Sequence, residues 1–425
     1  MKVLILTYYW PPSGGSGVQR WLKFVKYFQE FGITPVVYTV DNPDYAVEDE
    51  TLQNEIPEGV VVLKQPIWEP YKLASIFSRN KAKKTSAGFL SKNQSVLGKL
   101  ATYIRANYFI PDARMFWIKP SVKYLEAYLK NNSVDLIISS GPPHSLHLIA
   151  KELKTKTGIK WISDFRDPWT DIDYFHQLPL TKRAKNNHEK LEQAVLKESD
   201  AVLVVGKTMQ KNYLPFNKNT FVISNGFDLE VKEPEKILDE KFSITHIGMM
   251  NADRNPNILW KVLSELKEEV EGFAKDIEIQ LIGKLAEEVL ADLAHFDLFS
   301  LVKQIPYLPH QEVQEYQRKS QVLLLAVNKV PSAKGIVTGK IFEYLVAKRP
   351  ILAIGPEDGD LAEILKKSKS GEIVDFDAHV KLKALVLEYY EAYKIKKLAI
   401  ASEGIEKYHR KNITQQLSTL LKTKV

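Results

Sequence analysis

The chain has 425 residues, of which 44% are hydrophobic and 26% are charged, and its formal net charge is +7. This composition is typical of a folded globular protein and excludes general disorder, while the length predicts two or three domains. The chain contains no cysteine, which excludes disulfides, thiolate nucleophiles and cysteine-bound zinc. No apolar run approaches the roughly 20 residues of a membrane-spanning helix, and no signal peptide is evident. We therefore expect a cytoplasmic protein or one peripheral to the inner face of a membrane.

The positive charge is concentrated between Lys64 and Lys130, where thirteen Lys or Arg residues stand against three acidic residues. Aromatic residues are interleaved with these charges, among them Trp68, Tyr108 and Phe116. A basic and aromatic surface suits anionic lipid headgroups or nucleic acid. The alternative is a solvated lysine-rich face over an ordinary core. Both interpretations stay open, and the first predicts that segment 64–130 docks on an anionic membrane surface.

Short apolar runs alternate with amphipathic stretches in the first half of the chain. Residues Val18 to Phe31 place apolar side chains at helical spacing. Strand patterns lie at residues 2–7, 34–40, 60–64, 135–139, 160–163 and 201–205. Because these strands are almost wholly apolar and are separated by helices, they predict a parallel sheet that is buried on both faces.

A second series of elements begins near Phe221 with "FVISNGFD", a strand pattern that ends in an Asn-Gly turn. Further strand patterns lie at 243–247, 277–282, 301–305, 321–326 and 350–354. The sequence thus predicts an α/β protein with two Rossmann-like doubly wound domains, over 1–215 and 216–400, and a helix in 401–425 that crosses back. Ligands of such sheets bind beyond the carboxyl ends of the strands, so two facing domains would form a ligand cleft.

A glycine-rich loop, "YYWPPSGGSGVQRW", separates the first strand from the first helix. It does not fit the dinucleotide fingerprint, because Arg20 stands where the third glycine belongs and the loop is too long for that turn. It also lacks the Gly-Lys-Ser/Thr of a phosphate-binding P-loop. Gly14, Gly15 and Gly17 instead precede a helix N-terminus, which favours an anion. The alternative is a purely structural turn.

A second glycine-containing loop, within "NKVPSAKGIVTGKIFEYL", also leads from a strand into a helix. Thr338, Gly339 and Lys340 stand at the start of that helix, and phosphate is the natural partner of such a terminus. Glu343 lies one turn further on, where its carboxylate can accept hydrogen bonds from a ribose diol. Its alternative role is an ion pair with Lys340 at i, i+3.

The stretch "ITHIGMMNADRNPNIL" repeats the pattern of strand, loop and helix and adds Arg254. Arginine can hold a diphosphate through two parallel hydrogen bonds. Three loops from the two predicted sheets would then converge on one anion. Together they indicate a nucleotide diphosphate held between two domains.

The chain resembles the retaining glycosyltransferases of the GT-B fold, family four, over nearly its full length. The resemblance rests on "PPSGGSGVQRW", "SGPPHSLHLIA", "WISDFRDPW", "VISNGFD", "HIGMMNADRNPNIL" and "TGKIFEYLVAKRPIL". It implies that the C-terminal domain binds the nucleotide sugar and the N-terminal domain binds the acceptor. It also implies that Glu343 contacts the ribose, that Arg254 contacts the diphosphate, and that Gly14 and Gly15 lie over the phosphates.

One position departs from the family pattern of two glutamates separated by seven residues. Counting back from Glu343, the first glutamate is replaced by Gly335. In the family this glutamate contacts the donor sugar. We therefore expect the sugar contacts to come from other groups, such as the backbone amides of Gly335 to Val337.

Polar residues also follow two strands of the predicted N-terminal domain. His144 resembles a family histidine near the reacting sugar, although a helix-capping or core role is equally consistent with its position. In "DFRDPW", we expect Asp164 to face the ligand and help take the acceptor proton. We expect Arg166 to hold this loop in place. Arg166 and Asp167 are both expected to lie on the acceptor side.

The function that these features predict is transfer of a sugar from a nucleotide-diphosphate sugar to a glycan or lipid-linked acceptor, in cell-surface polysaccharide synthesis. Arg254 and Lys340 would stabilise the leaving diphosphate, and no metal or other cofactor is expected. One alternative is a nucleotide-sugar epimerase of the same fold. Another is a nucleic-acid-binding protein that uses segment 64–130. This alternative leaves the three anion loops unexplained, so no nucleic-acid partner is expected. The sequence does not specify the donor base, the sugar, the acceptor or the oligomeric state.

Overall fold

The computed structural model describes residues 1–45, 47–68, 96–229 and 238–424. Part of the basic segment (69–95) and part of the loop that follows the Asn-Gly turn (230–237) lie outside the described residues. The chain divides into two compact units. Unit 1 comprises Met1–Asn225 and Arg410–Val425, and unit 2 comprises Gly226–His409.

Unit 1 contains a seven-stranded parallel sheet in the order β3-β2-β1-β4-β5-β6-β7. The strands are β1 Lys2–Leu6, β2 Thr34–Val40, β3 Val61–Gln65, β4 Leu136–Gly141, β5 Lys160–Phe165, β6 Ala201–Val204 and β7 Thr220–Val222. The helices are α1 Ser16–Phe28, α2 Val96–Tyr108, α3 Ile118–Asn131, α4 Ser145–Thr157, α5 Lys182–Glu198 and α6 Lys207–Tyr213. Successive strand residues enter two core clusters, because alternate side chains point to opposite faces of a sheet.

Unit 2 contains a six-stranded parallel sheet in the order β10-β9-β8-β11-β12-β13. The strands are β8 Phe242–Ile247, β9 Ile277–Ile282, β10 Val302–Ile305, β11 Val322–Ala326, β12 Ile351–Ile354 and β13 Gly371–Val374. The helices are α7 Asn257–Glu269, α8 Phe273–Asp276, α9 Glu287–His295, α10 His310–Lys319, α11 Lys340–Ala347, α12 Asp360–Ser368 and α13 His379–Lys394. Their apolar sides cover the sheet, as a parallel sheet requires.

The C-terminal helix, α14 Arg410–Lys424, belongs to unit 1. Its apolar side buries Ile413, Leu417 and Leu421 in the same core cluster as Trp21 and Phe24 of α1. These positions recur at intervals of four residues, so they form one stripe along the helix. The last segment of the chain thereby completes the core of the first unit.

Three features of the fold differ from the sequence-based expectations. The strand in "FVISNGFD" is β7, which pairs with β6 and ends the first sheet, whereas we placed it at the start of the second series. The short strand β13 was not predicted, because "GEIV" has only three apolar or small residues around a glutamate. The two units are divided after Asn225, ten residues beyond the predicted position.

The order of strands reverses direction between β1 and β4 in unit 1 and between β8 and β11 in unit 2. In doubly wound sheets, ligands bind beyond the carboxyl ends of the strands at this switch point. The glycine-rich loop follows β1, and the loop with Thr338 and Gly339 lies between β11 and α11. The fold therefore places both loops where a doubly wound sheet binds its ligand. Among the described residues, none of the helices combines the length and apolar character that a membrane crossing requires.

Candidate functional site

The candidate anion site of unit 2 begins at the end of β8. Gly248 follows this strand with φ of 99°, a backbone conformation that favours glycine. A Cβ at this position would lie 2.8 Å from both Cε and Nζ of Lys340. The positive φ therefore favours glycine at this turn, and a larger residue would also displace the end of the Lys340 side chain.

His246, the penultimate residue of β8, contacts the amino group of Lys340 through its imidazole ring. Its Nε2 lies 3.5 Å from Lys340 Nζ, and its Nδ1 lies 3.3 Å from the carbonyl oxygen of Leu324. Burial, followed by the charges of Lys340 and Arg254, keeps the pKa of His246 well below its usual range. The imidazole is therefore neutral, with Nδ1–H donating to Leu324 and the Nε2 lone pair facing the ammonium.

Lys340 itself lies in a strongly cationic environment. Burial and the neighbouring Arg254 lower the pKa of Lys340 to about 7, and Glu343 opposes this shift. Both causes disfavour the charged ammonium. An anion bound beside Lys340 and Arg254 would remove this penalty, so the pair of cations is arranged for a negatively charged ligand.

Arg254 is positioned by a short 3₁₀ turn, Ala252–Arg254. The Asn251 side chain caps this turn by accepting from Arg254 N at 3.0 Å, and Arg254 Nη1 donates to the Met249 carbonyl at 3.2 Å. The Asp253 carbonyl accepts from the backbone N–H of Lys329 at 2.7 Å. The turn after β8 is in this way tied to the loop after β11.

The N-terminus of α11 lies at Lys340 itself. Gly339 occupies the N-cap position without a side-chain cap, and the N–H groups of Ile341 and Phe342 donate to Thr338 O at 3.2 Å and to Gly339 O at 3.3 Å. The Thr338 hydroxyl oxygen is buried and has no hydrogen-bond partner within the described part of the chain. A helix N-terminus beside two cations is a suitable site for phosphate.

Glu343 lies one turn into α11. Its Oε2 accepts a hydrogen bond from Gln317 Nε2 at 3.1 Å, and it lines a cavity of about 240 Å³ together with Gln317 and Arg318. Gln317 is almost fully buried. It therefore fixes one carboxylate oxygen of Glu343 from the protein side.

The loop before α11 does not supply all the backbone donors that we expected. The N–H of Gly335 donates to Ser332 O at 3.0 Å, and the N–H of Ile336 donates to Ala333 O at 3.1 Å. Both groups are used inside the 3₁₀ turn Ala333–Gly335. The expectation that these two amides contact the donor sugar is therefore wrong.

In unit 1, the glycine-rich loop is held by backbone contacts. Gly15 has φ of 77° and occupies the N-cap position of α1, and Gly14 N donates to Val47 O at 2.9 Å. Arg166 Nη1 donates to Gly17 O at 2.7 Å, and its Nη2 donates to Pro142 O at 2.6 Å. Arg166 thus fixes the glycine loop to the loop that follows β4, while Asp167 is exposed.

The role that we expected for Asp164 is not supported by its surroundings. Asp164 is fully buried and pairs with Arg20, whose Nη2 lies 2.8 Å from Oδ1. Trp21 Nε1 and Ser140 Oγ donate to its other oxygen at 2.8 Å each. Arg20 Nε is the fourth donor group, at 3.1 Å from both oxygens. A carboxylate with four donors and no exposure cannot face a ligand or take its proton, so Asp164 has a structural role.

His144 is buried directly before α4, with its ring stacked on Trp169 at a centroid distance of 4.4 Å. Its Nδ1 has no hydrogen-bond partner among the described residues. His147, one turn further on, is bonded through Nδ1 to Ser139 Oγ at 2.8 Å. A Cβ on Gly141 would lie 2.8 Å from His144 Nδ1 and 2.5 Å from His147 Nε2. Both imidazoles therefore pack against the backbone at the end of β4.

The structure thus gathers two groups of predicted residues. Arg254, Thr338, Gly339, Lys340 and Glu343 surround the switch point of unit 2. The glycine loop, Arg166 and His144 surround that of unit 1. The convergence of loops from both units on one anion stays a prediction.

Sequence reasoning missed three residues that organise these groups. His246 is a polar residue near the end of a buried strand, two residues before a glycine, which is a usable signal. Arg20 lies on the apolar stripe of α1, four residues before Phe24, so a buried partner was predictable. Gln317 gives no such signal, because it lies on a polar helix and meets Glu343 only through tertiary packing.

Comparison with known proteins gives matches among solved structures only: no protein-family model and no curated protein matches the chain. Sucrose-phosphate synthase from Thermosynechococcus elongatus matches with a TM-score of 0.64 and 13% identity, over 99% of this chain and 98% of that chain. The lipopolysaccharide outer core galactosyltransferase WaaB matches with a TM-score of 0.59 and 13% identity, over the full length of both chains. The chain has the GT-B fold.

A third match comes from a complex. A mutant of TarM from S. aureus, solved with fondaparinux, alpha-GlcNAc-glycerol and UDP, matches with a TM-score of 0.61 and 12% identity, over 99% of this chain and all of that chain. The GT-B fold and its two parallel sheets are therefore confirmed. Assignment to family four stays a prediction.

Proposed function

We propose that this protein is a retaining glycosyltransferase that moves a sugar from a nucleotide-diphosphate sugar to a glycan or lipid-linked acceptor in cell-surface polysaccharide synthesis. The observation that carries the proposal is the pair of cations, Lys340 and Arg254, beside the uncapped N-terminus of α11 at the switch point of unit 2. The TarM mutant complexed with UDP has the same fold and supports a nucleotide diphosphate as the ligand. The proposed location is the cytoplasm or the inner face of the membrane.

The chemistry follows from where charge develops during the reaction. When the bond between the sugar and the diphosphate breaks, negative charge grows on the diphosphate oxygens. Fixed cations and helix N–H groups stabilise such charge without reorganising. Arg254, Lys340 and the first turn of α11 would supply this stabilisation on the leaving-group side, with front-side attack by the acceptor preserving the anomeric configuration.

The ribose contact is assigned to Glu343. Gln317 holds one of its oxygens at 3.1 Å, and the side chain borders the cavity of unit 2. A carboxylate oriented in this way is suited to accept from a diol. In unit 1, the acceptor-side groups are proposed to be Asp167, which is exposed, and His144.

The test is a screen of nucleotide-diphosphate sugars with and without acceptors, in which released nucleoside diphosphate and the anomeric configuration of the product are measured. We expect one donor to be consumed with retention. Arg254→Gln should lower turnover by about 10²–10³ with a smaller change in KM. The matched control is Lys367→Gln, which removes a surface cation that pairs with Glu363 at 2.6 Å.

Three outcomes would reject the proposal. Rearrangement of the donor sugar without any acceptor would favour the epimerase alternative. Salt-dependent retention of DNA or RNA with no donor consumed would favour the nucleic-acid-binding alternative. Normal turnover of Arg254→Gln would mean that leaving-group stabilisation does not come from this site.

A further inference from the structure

The imidazole of His144 is oriented by ring stacking. Its Nδ1 is buried and has no hydrogen-bond partner within the described part of the chain. Its ring lies parallel to that of Trp169, with an interplanar angle of 4° and a centroid distance of 4.4 Å. Stacking of this kind fixes the plane of a ring only while the partner ring keeps its own position. The orientation of His144 therefore depends on what holds Trp169.

The ring of Trp169 is held by His188 of α5. Trp169 Nε1 donates to Nδ1 of His188 at 3.0 Å, and both side chains are buried. Because an indole N–H can only donate, Nδ1 must be unprotonated, and His188 is neutral with its proton on Nε2. Burial, opposed by the charge of Asp112, lowers the pKa of His188, which agrees with a neutral ring. The bond thus defines the tautomer of His188 as well as the position of the indole.

Helix α5 supports the backbone of the same loop through a second residue. Glu192 lies four positions after His188, on the same face of the helix. Its Oε1 accepts from the backbone N–H of Trp169 at 3.3 Å and from the Tyr213 hydroxyl at 2.7 Å, and its Oε2 accepts from the Thr170 hydroxyl. Glu192 therefore holds the loop backbone, whereas His188 holds the indole ring.

The backbone beside His144 has an anchor of its own. Ser145, the first residue of α4, donates to Asp112 through its backbone N–H at 2.9 Å and through its hydroxyl at 2.8 Å. Loss of the His188 side chain would leave this anchor and the Glu192 contacts in place. The rings of Trp169 and His144 are then the groups that respond to a change at position 188.

We propose that His188 is a positioning residue that fixes the imidazole of His144 through the ring of Trp169. Its consequence for catalysis rests on the proposed function, in which His144 is an acceptor-side group. A displacement of about 1 Å in a group that orients a substrate can lower the rate by about 10²-fold. His188 itself is buried and acts through Trp169, without contact to the substrate.

The first test compares three substitutions at position 188. His188→Leu removes the acceptor, His188→Asn keeps an oxygen on Cγ where histidine carries Nδ1, and His188→Gln moves that oxygen one bond further out. We expect turnover in sugar transfer to fall by about tenfold to 10²-fold in the leucine and glutamine variants and to be largely kept in the asparagine variant. Affinity for the free nucleoside diphosphate should stay unchanged in all three, because its proposed site lies in unit 2.

Two further variants separate positioning from stability. Trp169→Phe removes the indole N–H, so it should lose as much turnover as His188→Leu, and the combined variant should lose no more than either. Val195→Ala, at another buried position of α5, is the matched control. It should lower the unfolding midpoint without changing turnover. Additive losses in the combined variant, or an equal loss of turnover in Val195→Ala, would overturn the proposal.

The second test needs no activity. In protein labelled with ¹³C-histidine, the ring protons of His144 should be shifted upfield by the stacked indole, and His144→Gln identifies their signal. The shift should be lost in His188→Leu and kept in His188→Asn. An unchanged shift or unchanged turnover in His188→Leu would overturn the proposal, as would equal losses in the leucine and asparagine variants. A parent protein that transfers no sugar would reject the proposed function alone, because the His144 shift decides this inference without it.

Discussion

Protonation of Lys340 should control the affinity for a nucleotide-diphosphate sugar. Burial and the neighbouring Arg254 lower the pKa of this lysine to about 7. A diphosphate beside the ammonium adds negative charge and raises that pKa again. Binding therefore takes up a proton wherever the free lysine is neutral, and the affinity must fall as the pH rises through 7.

The size of the effect follows from the pKa of the free protein. A group with a pKa of about 7 is about 90% protonated at pH 6 and about 10% protonated at pH 8, so the dissociation constant should rise about tenfold between these values. The groups that face Lys340 do not confound this range. His246 stays neutral because its pKa is held well below its usual value, and Arg254 stays charged. The two phosphates of a nucleotide sugar are diesters and carry no proton in this range.

Calorimetry with a donor identified by the screen provides the measurement. Titrations in buffers of different ionisation enthalpy give the number of protons taken up, which should be about 0.1 at pH 6 and about 0.9 at pH 8. In Lys340→Arg the charge is permanent, so affinity should be independent of pH. A parent protein whose affinity and proton uptake are constant between these pH values would refute the reasoning. An identical slope in Lys340→Arg would do so as well, because another group would then be responsible.

Two further changes test the remaining contacts. Glu343→Ala should weaken binding of the free nucleoside diphosphate by about tenfold to a hundredfold, because hydrogen bonds to a charged group contribute about 1.5–3 kcal/mol. Calorimetry is the assay, and Glu315→Ala on the exposed side of α10 is the control. Unchanged affinity in Glu343→Ala would leave Glu343 with a structural role only. Arg20→Met should lower the free energy of unfolding in urea by about 3–5 kcal/mol, because it leaves the buried carboxylate of Asp164 without its cation. Lys154→Met, which breaks the partly exposed pair with Asp200, should lower the free energy of unfolding by no more than about 1 kcal/mol. An equal loss in both variants would contradict the buried-pair interpretation.

The pairing of Arg20 with Asp164 is a feature that the sequence does not reveal. From "DFRDPW" we expected an acid that faces a ligand, because a strand end beside a predicted cleft is a usual place for one. The structure buries Asp164 beneath α1, where Arg20 donates to it from a residue 144 positions away in the sequence. The same arginine also donates to the carbonyl of Ile223 at 2.9 Å. The apolar stripe of α1 indicates that Arg20 needs a buried partner, but which residue fills that role depends on which elements pack together.

The sequence by itself determined the layered architecture and the position of most strands. Periodicity is a local property: nearly unbroken apolar runs separated by amphipathic stretches are compatible only with parallel sheets covered by helices. It also determined the places where loops meet helix N-termini, because glycines and the residues after a strand mark these points. Arg254, Lys340 and Glu343 were predicted as site residues in this way.

Only the tertiary structure decided the pKa values, the orientation and the solvent exposure of those side chains. The neutral His246 behind Lys340, the Gln317 that orients Glu343, and the hydrogen bond from Trp169 to His188 all arise from contacts between distant segments. Burial sets the pKa of Lys340, and burial is a property of the packed chain. The sequence alone therefore indicates which side chains surround a site, whereas their charge, orientation and access to solvent are decided when the elements pack.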